Sequence, residues 1–265
     1  MKTMKAVGVL VIAGVVLAAI GGCKSKEPAK QLTLDLGNKV TMTVMLIPSG
    51  KFTMGSPKDG KVHYRNEGPQ HEVTISRPFY MGIYTVTQEQ YEQIMGKNPS
   101  NFKGEQNPVE QVSWDDAVEF CKALSKKTGM AVSLPTEAQW EYACRAASAT
   151  LFSYGDDYDK LSDYAWYYTN SNDRTHTVGQ LKPNEWGLYD MHGNVLQWCS
   201  DWYADTYANG DISDPQGPGS GTERVLRGGH WFSLLPEYCR STIRPHSTPD
   251  SRTFCIGFRV SIDLK

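Results

Sequence analysis

Residues 151–184 run on without apolar periodicity, and Tyr, Asp, Asn and Ser dominate them. A structureless stretch of that length inside a domain is uncommon. Either aromatic packing or a bound cation has to hold it. The fold must therefore be one in which ordered loop covers much of the core. Composition agrees: 24 Gly, 14 Tyr and 7 Trp accompany few long periodic segments. A chain of 265 residues is long enough to bury a full core in that form. Its formal net charge of −2 points to neither nucleic acid nor an acidic membrane surface as the partner.

The regular elements are short. Residues 41–47 alternate and are β-branched, and residues 51–54 follow a Pro48-Ser49-Gly50 turn, which predicts a hairpin. Residues 71–75 predict another strand. Three helices begin with a capping residue three positions before a side chain that can reach back: Thr87 and Gln90, Ser113 and Asp116, Thr136 and Gln139. Behind the second cap, Ala117, Phe120, Cys121 and Leu124 form one apolar face; behind the third, Trp140, Ala143 and Cys144 do. Trp114 and Trp140 are expected in the core. Residues 187–198 are too glycine-rich for a helix and predict a turn leading into a strand. Residues 205–221 predict a surface loop, and 223–226 a strand that delivers Arg227-Gly228-Gly229.

The first residues are a targeting segment. Two lysines precede an apolar run over residues 6–20, too short for a membrane span, which ends in Gly21-Gly22-Cys23. Small residues before a cysteine resemble the lipobox of bacterial lipoproteins, which implies cleavage after residue 22, acylation of Cys23 and a place in the cell envelope, on the outer surface of a bacterium. Residues 23–40 are expected to be a flexible tether, and 41–265 one domain. Five further cysteines leave at least one thiol unpaired, and none has zinc spacing.

Several motifs occur in a telling order: Ile47-Pro48-Ser49-Gly50 with Phe52 and Met54-Gly55-Ser56; Val112-Ser113-Trp114; Leu134-Pro135-Thr136-Glu137 through Ala143; Gly187-Leu188-Tyr189-Asp190-Met191 with Gly193-Asn194-Val195; Arg227-Gly228-Gly229; and Ile256-Gly257-Phe258-Arg259. Together they resemble the formylglycine-generating-enzyme, or sulfatase-modifying-factor, family. The resemblance implies an α+β fold of C-type-lectin-like form, with short antiparallel sheets, a few helices and much ordered loop. The enzymes of that family oxidise a substrate cysteine with a copper-binding pair of cysteines after the Gly-Gly motif. The matching positions here are Ser233 and Tyr238, with Cys239 beside the second. Serine is a poor ligand for a soft metal. No copper and no enzymatic activity are therefore expected. The family also carries calcium, and the positions matching one such site are Asp190, Gly193, Val195 and Gln197. Gln197 stands where the family usually has Glu.

Residues 227–259 resemble another branch of this fold, the variable proteins of diversity-generating retroelements, in which adenine-directed mutagenesis rewrites a C-terminal region. Such a change of an Asn codon yields Phe, Ser, Leu, Tyr, His, Pro, Ile, Thr or Cys. Apart from Glu237, those residue types fill the interior of the segment. The resemblance implies a non-catalytic, surface-displayed lipoprotein whose variable face binds a protein or glycan. The face is expected at His230, Phe232, Ser233, Leu234, Leu235, Glu237, Tyr238, Ile243, Pro245, His246, Ser247, Thr253, Phe254 and Cys255. Trp231, residues 239–242, Arg244, 248–250 and 256–259 stand between them as scaffold. The alternatives are an oxidase of the formylglycine-generating type and a structural lipoprotein of an envelope or secretion complex.

Overall fold

The computed structural model describes residues 28–58, 60 and 63–264. The leader and Cys23 lie outside them. No described helix is long and apolar enough to cross a membrane. Among the described residues, three small sheets and three α-helices carry the chain, and irregular structure fills much of the rest.

The first sheet has the order β1-β2-β5-β12-β6, with β1 at Gln31–Gly37, β2 at Val40–Ile47, β5 at Phe79–Gly82, β6 at Ala131–Ser133 and β12 at Ser261–Asp263. The last strand lies between β5 and β6, so both ends of the domain close in one sheet. Strand β1 corrects the expected tether, which overlaps the domain from Gln31 onward. Its Leu34 and Leu36 are buried while Thr33 and Asp35 face water, the period-two pattern of a half-buried strand. The expected hairpin also fails. Both edges of β2 are taken, by β1 and β5. Strand β3 (Gly50–Met54) instead pairs with β4 (His71–Ile75) in a second sheet, completed by β8 (Ile212–Ser213).

Helices α1 (Gln88–Met95), α2 (Trp114–Thr128) and α3 (Glu137–Arg145) all begin in full capping boxes. Each cap oxygen takes an amide that the first turn cannot satisfy, worth about 1 kcal/mol. The predicted inward faces of α2 and α3 are buried. Trp140 is fully buried, but Trp114 is only partly so: Arg224 lies 3.7 Å over its ring and its indole N–H donates to Cys199 O at 2.8 Å. Aromatic packing holds residues 151–184. Phe152 stacks on Tyr154 at 5.1 Å, Tyr154 on Tyr164 at 4.2 Å, and His192 meets Phe152 edge-on.

The third sheet positions the site. Its order is β10-β9-β7-β11, with β7 at Leu196–Trp202, β9 at Arg224–Arg227, β10 at His246–Ser247 and β11 at Ile256–Gly257. Strands β9 and β11 pair with opposite edges of β7, so both borders of the segment 227–259 are pinned to one central strand. Trp198 on β7 is fully buried and donates to Val112 O at 3.0 Å.

Candidate ligand-binding face

Beyond β9 the chain turns through Gly228 and Gly229. Gly228 takes the left-handed φ of 76°, and a Cβ on Gly229 would stand 2.5 Å from Cys239 Sγ and 2.7 Å from His192 O. From there to β11 the residues fall into two sets. Arg227, Arg240 and Arg244 go inward, while Arg252 stays exposed and pairs with Asp116 at 2.8 Å. Arg240 makes a bidentate pair with Glu67, at 2.6 and 3.0 Å, and both side chains are fully buried. Arg244 pairs with Glu137, Nη2 to Oε2 at 2.8 Å. Arg227 reaches Glu137 at 3.2 Å and also Glu141, which Arg145 holds from the other side at 2.9 Å. Burial pulls the Glu141 carboxyl upward, but Arg145 and Arg227 outweigh it and hold the group below its ordinary range. The expected scaffold residues Trp231, Cys239, Arg240, Ser241, Thr242 and Arg244 are all buried.

The apolar side chains go outward. Phe232 is 44% exposed, Leu234 55%, Leu235 51%, Tyr238 41% and Phe254 47%. Trp231 lies beneath: Phe232 packs on it at 5.3 Å and Phe254 at 5.6 Å, while its indole N–H donates to Phe254 O at 3.0 Å. His230, Phe232, Ser233, Leu234, Tyr238, Ile243 and Pro245 converge with Leu196 on one cavity of about 290 Å³. None of the lining side chains carries a charge, since burial pushes the His230 imidazole down to about 4.

Other expected face residues are placed differently. Ser233 is 2% exposed, and its hydroxyl accepts from His230 N at 3.0 Å, so it belongs to the floor rather than the surface. Glu237 opens on a separate cavity of about 630 Å³, with Ser56, Asp156 and Tyr158. His246 is held at the sheet edge by Glu223 at 3.0 Å and by stacking on Tyr203 at 3.7 Å. Ser247 bonds to Ser251, and the Thr253 hydroxyl meets the Cys255 thiol at 3.2 Å, so these three lie outside the cavity.

Two surface residues far off in the chain join the face. Tyr168 is 48% exposed and meets Phe232 edge-on at 5.7 Å, while Tyr64 lies beside Tyr238 with its ring 5.5 Å from the Arg240 guanidinium. Tyr168 sits in the aperiodic stretch, and nothing in the sequence marks it apart from the tyrosines beside it. Among the described residues, every exposed large apolar side chain except Ile212 belongs to the segment 227–259 or touches it.

The positions of the family's cysteine pair are buried. Cys239 and Ser233 are both nearly without exposure, and burial pushes the Cys239 thiol up to about 12. The five described cysteines are free thiols. Asp190, Gly193, Val195 and Gln197 lie on the buried turn ahead of and into β7. Gln197 Oε1 accepts from Trp140 Nε1 at 2.8 Å and Arg259 Nε at 2.6 Å, and its Nε2 donates to Asp190 O at 2.9 Å. An amide oxygen carrying two N–H donors has no lone pair left for a cation, so this donor set does not fit calcium. Among the described residues, no three His, Cys, Asp or Glu side chains gather in a way that could hold a metal ion.

Residues 33–264 match the family described as the sulfatase-modifying factor enzyme 1-like domain. The chain belongs to that family. It is 31% identical over 270 residues to the chaperone protein LppX of Paenibacillus barcinonensis, covering 83% of this chain and 87% of that protein. It is 29% identical over 287 residues to the formylglycine-generating enzyme of Mus musculus, covering 82% and 74%. Among solved structures, Treponema denticola variable protein 1 superposes with a TM-score of 0.81 at 30% identity, covering 89% of this chain and 99% of that one. PvdO from Pseudomonas aeruginosa gives 0.79 at 30%, covering 88% and 98%. The fold is thus the α+β, C-type-lectin-like fold of this family.

Proposed function

We propose that the domain is a non-catalytic receptor, tethered to the bacterial envelope through acylated Cys23, that binds ligands on the face built by residues 230–255. One observation carries the reading. Nearly all the exposed large apolar side chains lie on or against one segment, while Arg240 and Arg244 between them are buried and ion-paired. Isolated exposed apolar residues are ordinary, but a contiguous patch marks an interaction site. Tyr and Phe provide contact area at low entropic cost, as in antibody loops. The likeness to a treponemal variable protein supports diversification of this segment by a retroelement. The uncharged cavity favours an apolar side chain of a protein ligand over a charged group.

Two features speak against oxidase chemistry. Ser233 offers no thiol, and Cys239 is fully buried and remains protonated at neutral pH. Soft-metal binding and nucleophilic attack both require the thiolate. Copper-loaded protein should leave a cysteine-containing sulfatase peptide unconverted; turnover that Cys239→Ser abolishes would refute the reading. For binding, the test is a screen of surface proteins and glycans against wild type and a Phe232→Ala/Tyr238→Ala/Phe254→Ala variant. The variant should lose the ligand that wild type retains. Equal binding by both would place the site elsewhere. Sequencing the 3′ end of the gene across clones should show changes confined to codons of the outward residues, and a uniform sequence would remove the retroelement from the account.

A further inference from the structure

We propose that Arg259 is the resident cation of the turn that the family resemblance assigns to calcium, so that the domain folds and fixes its face without calcium. Arg259 follows β11 at the closing border of the segment and is fully buried. Its guanidinium donates to Gln197 Oε1 at 2.6 Å, Tyr189 O at 2.7 Å and Gly82 O at 2.9 Å. These oxygens come from three separate pieces of chain: β7, the turn before it, and β5 of the first sheet. A hard cation gathers backbone and side-chain oxygens from separate segments in the same way. Here a side chain does so, and it also ties the turn to the border of the face.

The arrangement excludes calcium for two physical reasons. The first is the state of Gln197. Its amide cannot be turned round, because its NH₂ would then oppose the N–H groups of both Trp140 and Arg259. The second is charge. Asp190 is the acid of the set; one of its oxygens accepts from Gly179 N at 2.8 Å, and Arg259 is the cation that favours its ionised form against burial. A divalent ion beside a buried guanidinium would meet like charge in a medium of low dielectric, with one carboxylate for both. A Glu in place of Gln197 would have provided a second negative charge; this chain lacks it.

The test is a thermal melt of the full-length protein in millimolar calcium chloride and in excess EGTA, with the metal content of the purified protein measured alongside. The expected result is no stoichiometric calcium and melting temperatures that agree within about 1 °C. A resident ion at a hundredfold excess over its Kd would raise Tm by about 5–10 °C. A calcium-dependent rise of that size would overturn the proposal. Arg259→Met should melt far below wild type in either buffer, and a variant melting with wild type would overturn it as well. Where the variant does not fold, the wild-type comparison still decides.

Discussion

The inward and outward residues of segment 227–259 alternate along one stretch of chain and obey opposite rules. Arg227, Arg240, Arg244 and Arg259 are buried, and each is held at a fixed geometry by acceptors from other elements. Phe232, Leu234, Leu235, Tyr238 and Phe254 are apolar and face water. In most domains the polarity of inside and outside is the reverse. The inversion separates two tasks. Guanidinium groups give directional, multivalent anchoring that fixes an irregular backbone without a regular element. The outward side chains are then free to differ, because the backbone does not depend on them.

The largest effects should come from the anchors. Arg227→Ala leaves Glu137 and Glu141 buried with one partner fewer, and breaking a buried pair from one side costs about 3–5 kcal/mol. Arg240→Met strands Glu67, which is fully buried, and should cost as much. Trp198→Ala, a large void in the strand between the two borders, should cost about 3–5 kcal/mol by a different route. Urea unfolding of the three variants checks this. A loss below about 1 kcal/mol for both arginine variants would mean the ion pairs do not hold the segment.

A smaller effect should appear with pH. Asp201 is lifted to about 7 by burial and by the nearby charge of Glu137; Asp190 is lifted to about 6 by burial. Their folded values exceed those of the unfolded chain, so the native state holds more protons over this range. The stability these two groups contribute is full below about pH 4 and is lost as pH rises to about 7. Glu141 runs the other way, and its contribution is lost only in stronger acid. Asp201 should therefore add to wild type a slope of stability with pH, read by urea unfolding, worth on the order of 1–3 kcal/mol between about pH 7.5 and about pH 5. It is opposed over the same range by His192 and His230, which burial pushes down to about 4 so that the unfolded chain takes up their protons first. Asp201→Asn keeps an oxygen to accept the Glu137 N–H and should flatten that slope. An unchanged slope in the variant would assign the effect to another group.

Much of this was legible in the sequence. The three helix starts were, because a capping box is a local arrangement of four residues. Both borders of the segment were, because Gly228-Gly229 and Ile256–Arg259 answer to close backbone contacts. Strand β1 carries its own signal in Leu32, Leu34 and Leu36, masked by a polar leader that reads as tether. The partner of β3 was not legible, since strand pairing is settled by which edges are already taken. The arginine layer was not either. Glu67 and Arg240 are far apart in the chain, and only the folded structure brings their charges together. The burial of Ser233 was not legible, because codon logic marks which residues are free to vary, not which way they point, and Glu237, which that logic never covered, opens on a separate cavity. Tyr64 and Tyr168 lie outside the segment and carry no motif.

The smallest stability effects should come from the face, and they test the comparison most sharply. Phe232→Ala, Tyr238→Ala and Tyr168→Ala each truncate a ring that is 41–48% exposed. The loss of edge contacts such as Tyr168 on Phe232 is worth about 0.5–1.5 kcal/mol at most when buried, and less at a wet surface. Surface substitutions usually stay within about 0.5 kcal/mol. Melts of these variants should therefore overlay wild type while Arg227→Ala does not. Binding should behave in the opposite way, concentrated in a few bulky residues near the centre of the patch. Phe232→Ala should weaken binding more than Tyr168→Ala, because Phe232 lines the cavity and Tyr168 only borders it. Should Phe232→Ala unfold the domain as Trp198→Ala does, Phe232 would belong to the core, and the division between anchor and face would have to be redrawn around Trp231.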